Sequence, residues 1–126
     1  MPQPIVHYEI ATTDLDKVKK FYTELLGWQI TTGGPAFGDY QMIEAKHDAP
    51  FGINGGMMRR APEDTLPGVR IYANVDSADE YVAKAKKMGA PVIFEAMDVE
   101  GAGIRIAMVL DPEGNPIGCV ETLPKQ

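Results

Sequence analysis

Cys119 is the only cysteine in the 126-residue chain. That excludes an internal disulfide and a thiolate-held metal cluster. Aromatic residues are also scarce, at 8% with Trp28 the single tryptophan, which weighs against a large aromatic-lined groove. Basic residues are outnumbered, 12 Lys and Arg against 18 Asp and Glu, for a net charge of −6. Nucleic acid is therefore not the expected partner, because a phosphate binder shows a basic patch or stripe. No stretch approaches the ~18 consecutive apolar residues of a membrane span, and no charged-then-apolar leader opens the sequence. These absences lead us to expect a cytoplasmic protein that engages neither membrane nor nucleic acid. What is present is an ordinary globular balance, 44% hydrophobic and 24% charged, sufficient for the core of one domain.

The chain repeats itself. Residues 6–12, VHYEIAT, precede DLDKVKKFYTELLGW; residues 69–75, VRIYANV, precede DSADEYVAKAKKMGA. Setting Thr12 on Val75 places His7 on Arg70, Leu15 on Ala78 and Asp16 on Asp79. The first helix begins at Thr13 or Asp14 as cap, with Asp16 at the positive end of the dipole. Leu15, Val18, Tyr22, Leu25 and Leu26 form one apolar stripe, and Gly27 supplies a left-handed stop. In the second helix Ser77 and Glu80 make a capping box. Ala78, Tyr81, Val82, Ala85 and Met88 line one face, and Gly89 ends it. Three strand signals follow each helix: WQITT, DYQMIEA and INGGMM in the first half, APVIFEA, GIRIAMVLD and PIGCVE in the second. Asp111-Pro112-Glu113-Gly114 is a turn, with Pro112 presetting one backbone angle and Gly114 permitting a positive one. The prediction is an α+β fold of two βαβββ modules, about 4–60 and 66–123, within one domain.

The strand at 69–75 alternates. Val69, Ile71, Ala73 and Val75 are apolar and are expected to pack on a helix, leaving Arg70, Tyr72 and Asn74 on the other face. The repeat gives His7 and Glu9 the corresponding places in the first strand. The residues alone leave open whether this polar face is solvated or lines a pocket with apolar walls and a few orienting polar groups.

The paired βαβββ units, the run Asp14 to Trp28 (DLDKVKKFYTELLGW) and the closing Leu110 to Gly118 (LDPEGNPIG) resemble the vicinal oxygen chelate superfamily, the group of glyoxalases, bleomycin-resistance proteins and extradiol dioxygenases. The resemblance covers nearly the whole chain. It implies a mixed sheet curled around a cleft with the helices on its outer face. It also implies a homodimer, in some members with exchanged modules. In metal-dependent members the ligands are His, Glu or Gln from the first and last strands of the modules, and His7 falls on the first such position. The matching residue of the second module is Arg70, a cation that does not ligate a metal. In the last strand the family pattern N-x-x-E becomes Asn115-Pro116-Ile117-Gly118, with glycine in place of the glutamate. In the first module the corresponding stretch reads Asn54-Gly55-Gly56-Met57.

One ligand of the usual set therefore survives, whereas a catalytic zinc needs about three protein ligands. No metal and no other cofactor is expected. A divalent metal at His7, completed by Glu9 or Glu121, is the alternative; His47, in KHDAP, reads as a solvated loop residue. The expected function is to bind a small organic molecule, anionic ones included, in the cleft. Arg70 would hold an anionic oxygen, or pair with Glu9 when no ligand is present. His7 would act as acid or base near neutral pH, with Tyr72 and Asn74 orienting the ligand. Met57, Trp28 and Phe37 are candidate walls, although Met57 and Trp28 fit a core equally well. The competing functions are a metal-dependent lyase, isomerase or dioxygenase, and a drug-sequestering protein. Cys119 reads as a small buried hydrophobe.

Overall fold

A computed structural model describes residues 2–33, 38–44 and 52–124. Strand β1 (Ile5–Thr12) leads into helix α1 (Leu15–Leu26), then β2 (Gln29–Thr32), β3 (Gln41–Glu44) and β4 (Gly55–Arg59). The plan repeats as β5 (Val69–Asn74), α2 (Ala78–Lys87), β6 (Val92–Val99), β7 (Ile104–Leu110) and β8 (Pro116–Thr122). Each predicted strand and helix is present, in the predicted order.

The two halves share one topology. In the first, β2 pairs antiparallel with β3, β3 antiparallel with β4, and β4 parallel with β1. In the second, β6 pairs antiparallel with β7, β7 antiparallel with β8, and β8 parallel with β5. The fold is thus α+β, built from βαβββ modules. The compact units are divided slightly differently from the sequence modules: one is His7–Val69, the other joins Met1–Val6 to Arg70–Gln126. The Asn74 N–H donates to the Pro4 carbonyl at 2.9 Å, which ties the leading residues to the second unit.

Helix ends follow local chemistry. Asp14, rather than Thr13, caps α1: its carboxylate accepts from Lys17 N–H at 3.0 Å. Gly27 closes the helix in the left-handed region at φ 70°. At α2 the Ser77 hydroxyl accepts from Glu80 N–H at 3.2 Å, and Gly89 leaves the helix at φ 85°.

The first core packs Ile10, Leu15, Ile30, Ile43 and Met57, with Tyr8, Val18, Tyr22 and Trp28 against them. Trp28 stacks on Tyr22 with ring centres 4.6 Å apart, so it is a core residue here. The second core is Ala78, Val82 and Ala107, joined by Val92 and Ala96.

Burial departs from expectation in two places. The last turn of the α1 stripe is not covered, and Leu25 and Leu26 are exposed. On β5 the alternation holds but the burial is reversed. Val69 and Ile71 are 61% and 40% exposed, whereas Arg70 and Tyr72 are 4% and 6% exposed. Helix α2 packs over β6, β7 and β8, and alternation along β5 fixes which residues share a face without fixing which face is covered. Val75, at the far end, is buried as predicted.

Candidate functional site

Strand register sorts the first module's residues onto two faces. Tyr8 stands beside Gly55 and Ile10 beside Met57, and this face carries the core under α1. Glu9 stands beside Gly56, so Glu9 and His7, two residues earlier, belong to the opposite face. From the other side β3 sets Met42 beside Gly56. Tyr40, two residues before Met42, shares that parity and arrives on the same face as His7 and Glu9.

These three side chains form a hydrogen-bonded chain. The Tyr40 hydroxyl lies 3.0 Å from Glu9 Oε2 and 2.9 Å from His7 Nε2. An ionised carboxylate only accepts, so the single phenol proton goes to Glu9. The Tyr40 oxygen then accepts from His7 Nε2–H. Glu9 is buried, and a buried carboxylate is tolerated when hydrogen-bonded. Burial lowers the His7 pKa from its usual value, which keeps the imidazole neutral around neutral pH. Gly56 makes the arrangement possible. A Cβ built there would fall inside the Tyr40 phenol oxygen and ring. Tyr40 itself is tied down by the Gly33 N–H, which donates to its carbonyl at 2.9 Å. The preceding Asp39 carbonyl accepts from the Gln41 side chain at 2.9 Å.

Arg70, Tyr72 and Asn74 belong to the second unit. Tyr72 stands beside Gly118 in the parallel pairing of β5 and β8, and a Cβ at Gly118 would collide with the Tyr72 ring. The two modules thus match: Glu9 beside Gly56 corresponds to Tyr72 beside Gly118, with phenol groups over both glycines. Arg70 and Tyr72 are buried, and Asn74 is half-buried.

Among the described residues, the positions where the superfamily resemblance expects metal ligands, apart from His7, do not carry the usual donors. At the last-strand positions Gly56 and Gly118 offer no side chain, and the volume a side chain would need is filled by Tyr40 and Tyr72. Arg70 is cationic. Among the described residues no group of three or more His, Cys, Asp or Glu side chains could hold a metal ion. Glu121 is engaged elsewhere, accepting from Ala78 N–H at 2.9 Å at the start of α2.

Met57 requires a correction: it is completely buried in the first core and cannot be a wall residue, because its parity puts it under α1. Phe37 and His47 lie outside the described residues. Cys119 is half-buried, and burial raises its thiol pKa, which fits a packing residue rather than a nucleophile. Tyr40 is the site residue that sequence reading missed. It sits one residue ahead of β3 and carries no motif. Its partners become visible only once Met42 is known to stand beside Gly56.

Two βαβββ modules with a polar strand face define a glyoxalase-like protein. Residues 4–118 match the model of the Glyoxalase/Bleomycin resistance protein/Dioxygenase superfamily, and the chain belongs to that superfamily. A protein of Mycobacterium bovis named "Putative glyoxylase CFP32" is 35% identical over 115 residues, which are 87% of this chain and 42% of that one; the Mycobacterium tuberculosis protein of the same name matches equally. The chain therefore spans less than half the length of these relatives. Among solved structures, hypothetical protein BH1468 of Bacillus halodurans superposes with a TM-score of 0.67 at 17% identity, covering 100% of this chain and 99% of that one. Methylmalonyl-CoA epimerase of Mycobacterium tuberculosis superposes with a TM-score of 0.64 at 20% identity, covering 95% and 88%. At those identities the likeness is one of fold. No described helix is long and apolar enough to cross a membrane.

Proposed function

We propose that this chain binds a small organic molecule on the strand face carrying His7, Tyr40 and Glu9, without a catalytic metal, and that His7 is its acid–base group. The observation behind this reading is the His7–Tyr40–Glu9 chain. The resemblance puts His7 at a superfamily metal-ligand position, and here a phenol and a carboxylate back its imidazole. A neutral imidazole supported from behind by a carboxylate can take a proton and stabilise the cation that results. The glycines beside Glu9 and Tyr72 favour a metal-free site, because two positions that would supply donors are filled by phenol groups. Arg70 is the second module's candidate for an anionic ligand oxygen, since a guanidinium grips a carboxylate bidentately. Tyr72 and Asn74, on the same face of β5, would orient the ligand. The drug-sequestering alternative is less favoured because Tyr8, Tyr22 and Trp28 are already packed against the first core. A homodimer remains part of the proposal.

A thermal-shift screen of small carboxylates, neutral carbonyl compounds and cationic drugs tests the reading. We expect at least one carboxylate to raise the melting temperature of the wild type and to lose most of that effect with His7→Ala and with Arg70→Lys. If cationic drugs alone stabilise the protein, and do so equally in both variants, the reading fails.

A further inference from the structure

We propose that Tyr40 is a positioning residue matched to Gly56: its phenol oxygen holds His7 as the Nε2–H tautomer and joins it to Glu9, in space that only glycine at position 56 leaves open. Three observations meet here. Tyr40 Oη is within 3.0 Å of both Glu9 Oε2 and His7 Nε2. The Tyr40 hydroxyl occupies the volume of a residue-56 Cβ. The register sets Glu9 and Met42 on either side of Gly56, so the tyrosine and the carboxylate converge over one backbone position.

The proton count gives the arrangement its direction. Glu9, Tyr40 and His7 share two protons among the bonds described. The carboxylate takes the phenol proton, and the phenol oxygen takes the imidazole proton. The imidazole is thereby oriented from one nitrogen, and the other ring nitrogen, Nδ1, carries the lone pair. This is the logic of a carboxylate that orients a histidine by hydrogen bonding, with a tyrosine inserted between the two groups. Gly56 has no side chain, yet it belongs to the device: a methyl group there displaces the hydroxyl and breaks both bonds. A chain contact of purely structural kind would not be expected to control one particular imidazole proton.

The consequence for ligand binding rests on the proposed function above, but the positioning itself is measurable without a ligand. Nitrogen-15 NMR of histidine-labelled protein reads the His7 tautomer and the exchange of its ring proton with water. The protein has two histidines, so His47→Gln assigns the signals. In the wild type at a pH where the imidazole is neutral, we expect the Nε2–H form with a ring proton slow enough to observe. Tyr40→Phe, which keeps the ring and removes the hydroxyl, is expected to speed that exchange at least tenfold. Gly56→Ala is expected to do the same, and adding Tyr40→Phe to it should produce little further change. An Nδ1–H tautomer in the wild type overturns the inference without any variant, and so does an unchanged exchange rate in Tyr40→Phe. If exchange accelerates as expected while no screened ligand distinguishes His7→Ala from wild type, the positioning role stands and the functional reading falls.

Discussion

At the scale of single residues, the most informative positions are glycines whose missing side chain is taken up by a tyrosine. Gly118 carries the Tyr72 ring, so Gly118→Ala is an overpacking substitution. We expect it to cost about 1–3 kcal/mol in urea denaturation. Most of that cost should vanish in a Tyr72→Ala background, because neighbours that compete for one volume are not additive. His7 gives a prediction in pH. Burial lowers its folded-state pKa below the unfolded value of about 6.5, so the unfolded chain binds more protons as pH falls through that region. Stability from this group is complete above the unfolded pKa and is lost as pH falls through the lowered folded pKa. His7→Gln should therefore flatten the acid side of the stability–pH curve, as followed by denaturation midpoints between pH 7 and about 5. An unchanged slope would show that His7 does not control it.

At the scale of elements, the start of α2 shows how distant parts of the chain cooperate. The first N–H groups of a helix have no partner within it. Ser77 satisfies one locally, at Glu80, and Glu121 satisfies another, at Ala78, from the end of β8. We expect Ser77→Ala and Glu121→Ala each to cost about 1 kcal/mol by chemical denaturation. Ser77 was legible as a cap because its partner is three residues away. Glu121 could be considered only as a metal ligand from sequence, since nothing local indicates that β8 delivers it to a helix. Arg60 is a similar case. Its guanidinium donates to the Leu66 and Ala11 carbonyls and pairs with Asp64 at 3.7 Å. It thereby fastens the end of β4 to β1 and to the following turn, through carbonyls that no local pattern around Arg60 identifies.

For the whole molecule, the donor chemistry makes metal loading the most direct test. We expect purified protein to hold zinc, nickel, iron and manganese well below stoichiometric amounts by elemental analysis. Adding or chelating these ions should leave the melting temperature within about 1 °C, since a bound native-state ligand would raise it by mass action. Tight one-to-one binding lost with His7→Ala would contradict this expectation. The superfamily fold hosts many chemistries, so function must be argued from the site. Within each module a glycine, Gly56 in the first and Gly118 in the second, stands on the last strand where the resemblance would place a metal-ligating side chain.

Taken alone, the sequence determined what depends on neighbours along the chain. Helix caps, glycine stops, the Asp111–Gly114 turn, strand alternation and the duplicated order of elements all follow from contacts a few residues apart. The resemblance to the superfamily drew on the same features. Only the tertiary structure decided what depends on residues far apart in sequence: that Val69 is exposed and Arg70 buried on β5; that Met57 faces the core; and that Tyr40 crosses to Gly56 between His7 and Glu9. The physical reason is that alternation tells which residues share a face, but not what covers that face. Covering is settled by strand register and packing, and a one-residue change in either would give every side chain a different neighbour.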